Sequence, residues 1–114
     1  MSHRVLLPHK TINAGDMTQN SVTSDTTDVS YLHNLCVQVV STGVSVGTLA
    51  MQATLDGTNW ATVEEFGSLD VPAACNLIRN VAGFALFKIR FVYTKTSSSA
   101  GNTITVTIFG NANA

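Results

Sequence analysis

The chain has 114 residues, with six Lys and Arg against seven Asp and Glu and a formal net charge of -1. This length specifies one domain, large enough to bury a core without disulfide or metal staples. The near-neutral balance excludes an electrostatic nucleic-acid binder, which needs a basic face. No apolar run approaches the roughly 20 residues of a membrane-spanning helix. Charged residues make up only 11% of the chain, against roughly 25% in ordinary globular proteins. Ser, Thr, Asn and Gln carry the polar surface instead. Such groups are cheaper to desolvate than Lys or Glu, which suits a subunit that sits against neighbours.

The chain begins MSHRVLLPHK, one Arg and a short apolar run interrupted by Pro8. That is no signal-peptide core. No Asn-x-Ser/Thr sequon follows, and the two cysteines, Cys36 and Cys75, make no disulfide framework. Synthesis in a reducing cytoplasm is expected, with both thiols free; one bridge stays open if their strands are neighbours. Residues 1–30 are polar and punctuated by short apolar pieces (Val5, Leu6 and Leu7; Ile12; Met17; Val22). They read either as the first strands of the domain or as an arm that docks on a neighbouring subunit.

Tyr31 to Val40 alternates, with Leu35, Val37 and Val39 on one face and Asn34, Cys36, Gln38 and Val40 on the other. Period two predicts a half-buried strand. Ser41 to Gly43 is a turn. Val44 to Val63 predicts a hairpin: Leu49, Met51, Ala53 and Leu55 alternate with polar or small residues, and Asp56-Gly57 supplies a tight turn. Trp60, the only Trp, follows the turn and is placed to cover one end of a core. Glu64 to Pro72 reads as a loop, and Ala73 to Val81 as a short strand or a helical turn, with the strand favoured. Phe84 to Thr94 is the clearest strand, with Phe87, Ile89, Phe91 and Tyr93 facing one way and Lys88 and Arg90 the other. Lys95 to Asn102 is a flexible connection. Thr103 to Gly110 closes the domain, with Ile104, Val106 and Ile108 inward. The predicted fold is all-β: a single antiparallel β-sandwich over residues 31–114 with a polar N-terminal arm over residues 1–30. Jelly-roll and immunoglobulin-like connectivity are not separated by the pattern.

Candidate chemistry is sparse. His3, His9 and His33 fall in no metal-ligand spacing, and Asp16, Asp25 and Asp28 match no calcium loop. Glu64 and Glu65 are adjacent; in a strand they would point to opposite faces, which disfavours a paired-carboxylate hydrolase. No nucleophile motif or glycine-rich phosphate loop occurs. No catalytic, cofactor or metal residue is therefore assigned, and no enzyme is expected. Trp60, Tyr31 and Tyr93 together could make an aromatic platform for a glycan, although Trp60 and Tyr93 read first as packing residues. Arg90 is expected to meet a carboxylate on a neighbouring strand or to serve a subunit contact.

A set of residues between Ser24 and Gly110 carries a resemblance. It comprises Ser24-Asp25, Gln38, Gly43, Val46-Gly47-Thr48 and Gln52. It continues with Leu55-Asp56-Gly57-Thr58-Asn59-Trp60, Ile89-Arg90-Phe91-Val92-Tyr93-Thr94 and Thr103-Ile104-Thr105-Val106. This order resembles a family of small β-sandwich phage virion proteins. The resemblance implies a non-enzymatic structural subunit in the virion, a capsid decoration protein or other capsid-associated component, made in the host cytoplasm. It implies many copies, with a homo-oligomer or the capsid lattice as partner and neither a membrane nor a specific nucleic acid. Asp56, Gly57, Trp60, Arg90 and Tyr93 are the candidate structural and assembly residues. A carbohydrate- or receptor-binding module of tail or spike is the alternative.

Overall fold

A computed structural model describes residues 4–112; His3 lies outside them. Among the described residues there are ten strands and no helix: β1 Val5–Asp16, β2 Ser21–Thr23, β3 Thr27–Asp28, β4 Asn34–Ser41, β5 Val46–Thr54, β6 Ala61–Thr62, β7 Ser68–Val71, β8 Asn76–Ala82, β9 Lys88–Ser97 and β10 Thr103–Asn111. One sheet has the order β1-β10-β4-β8 and the other β2-β9-β5-β6, with β3 also on β9 and β7 also on β5. Every pairing is antiparallel.

The connectivity follows from these orders. β2 and β3 lie in succession along β9, so they act as one interrupted edge strand, and β6 and β7 do the same along β5. Merged in this way, the strands make two four-stranded sheets in which the chain changes sheet at every connection but the one after β5. That order is a jelly roll, so the immunoglobulin-like alternative falls away. The first strand pairs with the last, and the sandwich is closed by its own ends.

The core lies between the sheets and follows the two-residue alternation. Leu35, Val37 and Val39 of β4 and Ile104, Val106 and Ile108 of β10 face Leu49 and Met51 of β5 and Ile89, Phe91 and Tyr93 of β9, all buried. Phe66 fills one flank, edge-on to Phe91 with ring centroids 5.8 Å apart. Arg79 points inward from edge strand β8, but its guanidinium lies over the Phe66 ring and donates to the Phe66 carbonyl. An inward Arg is tolerated there because its charge meets an acceptor and a ring face.

Residues 5–30 supply β1, β2 and β3 and place Ile12, Met17 and Val29 in the core. Between β2 and β3, Ser24 keeps the edge paired: its N–H donates to Phe91 O, and its Oγ accepts from Phe91 N, both at 2.8 Å. The expected loop from Glu64 to Pro72 contains β7, whose Leu69 and Val71 pair opposite Leu49 and Gly47. Two apolar residues are too short a run to announce a strand, and the pairing with β5 supplies the rest. Strand β9 starts at Lys88, later than Phe84, and continues to Ser97. Cys36 lies half-buried on the outer face of β4, Cys75 is buried, and both are free thiols. Cys36 pairs across to Asn80, whereas Cys75 precedes Asn76, the partner of Val40, so the two sit at opposite ends of that pairing.

Candidate functional site

The chain from Thr54 to Ala61 is a built loop, wider than a two-residue turn. Asp56 Oδ1 accepts from Thr58 N and Asn59 N, both at 2.8 Å, and from Thr54 Oγ1 at 3.0 Å. Asp56 Oδ2 accepts from Asn59 Nδ2 at 2.7 Å. Gly57 adopts φ 82°, the left-handed conformation that suits glycine, and its N–H donates to Thr54 Oγ1. These donors, led by those of Asn59, hold the Asp56 carboxyl well below the usual carboxylate range.

The loop delivers Trp60 to the outer face of the β2-β9-β5-β6 sheet. There Arg90 Nε donates to Gln52 Oε1 at 2.8 Å, and its guanidinium lies 4.2 Å from the Trp60 ring centroid. Trp60, expected to cover the core, is thus half-buried on the outside. Arg90 meets an amide and an indole in place of a carboxylate. Gln52 and Arg90 are register partners, so the clamp spans neighbouring strands and locks the loop onto both.

Tyr93 stands apart, on the opposite face of β9 from Arg90. It is 0% exposed, and its Oη has no hydrogen-bond partner among the described residues. Burial pushes its hydroxyl pKa up. It fits because Gly47 lacks a side chain: a Cβ there would lie 2.6 Å from Tyr93 Oη and 2.3 Å from Thr94 O. Gly47 thus meets Tyr93, Gln52 and Trp60 meet Arg90, and Ser24 meets Phe91.

Two surfaces escaped sequence reasoning. The first is the outer face of β10, β4 and β8. Thr105, Thr107 and Phe109, then Cys36, Gln38 and Val40, then Asn76, Ile78 and Asn80 project from it in register. Among the described residues no charged side chain points outward from these three strands, and Ile78 is 64% exposed. Its polar groups are partly spent on each other, as where Gln38 Nε2 donates to Asn76 Oδ1 at 2.9 Å. The second is a cleft of about 320 Å³ beside β6, floored by Ala53, Leu55, Val63 and Leu86 and rimmed by Glu64 and Glu65. Glu64 and Glu65 lie in a turn, not a strand, and both line this one cleft. The exposed Leu55 and the uncharged alternate positions of β4, β8 and β10 were the available signals.

Among the described residues no group of three or more His, Cys, Asp or Glu comes together. No protein-family model matches the chain. No curated protein matches it either. Solved structures match it in fold. The SPBc2 prophage-derived protein YomS superposes with a TM-score of 0.64 at 14% identity, over 97% of this chain and 96% of that one. The PBSX exported protein XepA gives 0.65 at 12% identity, over 99% of this chain and 38% of that one. The coat protein of Tobacco streak virus gives 0.57 at 15% identity, over 96% and 84%. The structural neighbours include phage-derived and viral coat proteins and also a cleaved adhesin domain of Lys-gingipain from Porphyromonas gingivalis (TM-score 0.54, 14% identity, 94% of this chain and 73% of that one), and at these identities the likeness is one of fold.

Proposed function

We propose that this chain is a non-enzymatic structural subunit of a phage particle, a capsid decoration or other capsid-associated protein present in many copies. The observation that carries the reading is the uncharged outer face of β10, β4 and β8, with Val40, Ile78 and Phe109 exposed on three adjacent strands. A flat face without charge costs little to desolvate and can be used identically by every copy in a symmetric shell. The fold neighbours support the phage setting, since one is prophage-derived and matches end to end and another is a viral coat protein. The test is direct. Purified phage particles, washed and stripped, should release this chain in stoichiometric amounts, and added chain should co-sediment with particles lacking it. Particles that neither contain nor bind it would overturn the reading.

A glycan-binding role for Trp60 is the second reading, favoured by its half-exposed ring. One face of that ring is covered by the Arg90 guanidinium, which takes the stacking surface a sugar would need. Under the structural reading, Trp60 fluorescence stays unchanged across a glycan panel; a saturable shift would favour the alternative.

A further inference from the structure

The acidic-rimmed cleft beside β6 has a counterpart elsewhere on the same chain. Leu7, at the register shift between Leu6 and His9 in β1, is 69% exposed. Arg4 and Lys10 stand three residues to either side of it. Leu55 at the cleft is 72% exposed. Among the described residues no ion pair engages Glu64, Glu65 or Lys10, whereas Arg4 is already committed: its guanidinium lies over the Tyr31 ring at 4.2 Å and its charge acts on Asp28. An exposed leucine followed three residues on by a lysine, and an apolar cleft lined by two glutamates, are complementary in apolar character and in charge.

Their placement matters as much as their chemistry. The β1 flank of the sandwich is where Gly15 approaches Val22 of β2. The opposite flank is where Arg79 of β8 reaches Phe66, between β6 and β7. Leu7 lies on the first flank and the cleft on the second. Both lie at the same end of the strands: β1 begins opposite Asn111, the partner of Asn34, while Leu55 follows the pair Thr54–Lys88 and Leu86 precedes it. One chain cannot bring them together, but a copy set beside it can. Strand addition at β1 is blocked by Pro8 and by three register shifts along the strand. That leaves side-chain docking.

We infer that the Glu64–Glu65 cleft takes the Leu7 knob of a second copy of this chain, in a head-to-tail contact with Lys10 of one copy facing the two glutamates of the next. Such a contact is heterologous, so every copy offers one knob and one cleft, and it closes into a ring or runs on as an array. The inference deepens the structural reading above, since it specifies how neighbouring subunits in a multi-copy layer meet.

The experiment is sedimentation velocity on the full chain at low salt, over a concentration series. Wild type self-associates beyond a monomer. Lys10→Glu alone and Glu64→Lys/Glu65→Lys alone each weaken association about tenfold or more, because like charges then face each other. An equal mixture of those two variants regains the mass, since each knob then finds a cleft of opposite sign. Leu7→Glu disperses the chain more than Leu7→Lys does; all four sites are exposed, and unchanged Trp60 fluorescence confirms the fold. A wild type that stays monomeric, equal loss in Leu7→Glu and Leu7→Lys, or a mixture that regains nothing overturns the inference. A monomer that still co-sediments with phage particles overturns it while leaving the structural reading intact. Self-association through this contact by a chain absent from particles does the reverse.

Discussion

Two single residues set how β5 and β9 pack, and both make predictions. Gly47 faces the Tyr93 ring beside the register shift between Val46 and Gly47 in the β5–β9 pairing. Gly47→Ala places a methyl against a backbone carbonyl that cannot move without breaking the pairing. It should cost about 1–3 kcal/mol, the usual penalty of overpacking, read from denaturant midpoints at constant slope. Tyr93→Phe removes a buried hydroxyl that finds no partner among the described residues. Its removal should leave stability unchanged or raise it by up to about 1 kcal/mol, because an unsatisfied buried donor carries only its desolvation cost. A loss of more than that would mean the hydroxyl is hydrogen-bonded in solution. The alternation of Ile89, Phe91 and Tyr93 made the burial of Tyr93 legible in the sequence. Its dependence on Gly47 was not, because it joins strands far apart in the chain.

At the scale of the element, the Thr54–Ala61 loop shows why a correct local signal gave an incomplete picture. Asp56-Gly57 announces a turn, and a turn is there, but the carboxylate gathers donors as far as Asn59 and widens it. The Asp56 pKa is lowered from 3.8 by these donors. The unfolded chain therefore binds a proton at a higher pH than the folded one. The loop's contribution to stability is fully present above pH 4 and drains away as pH falls from there toward the depressed folded value. Asp16 and Asp28 are lowered too, each by hydrogen bonds from its own loop, so they add acid sensitivity of the same sign. Asp56→Asn should flatten the fall in stability between pH 4 and pH 2 relative to wild type; an unchanged slope would exclude Asp56 from that titration. Trp60 and Arg90 then fasten the loop to the sheet. A double-mutant cycle with Trp60→Ala and Arg90→Ala should return a coupling of about 0.5–1 kcal/mol, the range for a partly exposed cation–π pair. Zero coupling would leave the stack without energetic meaning. Strands β4, β5, β9 and β10 were legible from period two alone, whereas β7 and the partners of Arg90 depended on cross-strand pairing that no local pattern encodes.

For the whole molecule, the jelly-roll order decides which surfaces are free. Pairing β1 with β10 sets the first and last strands side by side in one sheet and leaves that sheet's outer face open along β10, β4 and β8. The all-β class could be read from the chain, but this order could not, because it rests on pairings between its two ends. The open face belongs to β10, β4 and β8, and the Leu7 knob to β1, the edge strand beside β10, where Lys10 pairs with Thr107. If the broad face meets the particle and the flank meets the next copy, the two functions must separate by mutation. Ile78→Glu puts a charge in the middle of the uncharged face, at a side chain exposed enough that folding should change by less than about 0.5 kcal/mol. It should reduce particle co-sedimentation about tenfold or more, since an unpaired carboxylate buried against the shell must be desolvated. It should leave self-association as in wild type. Leu7→Glu should show the converse pattern, dispersing the free chain while each monomer keeps its affinity for the particle surface. Loss of both properties in Ile78→Glu would mean that one surface serves both contacts, and retained particle binding would remove the β10-β4-β8 face from the interface.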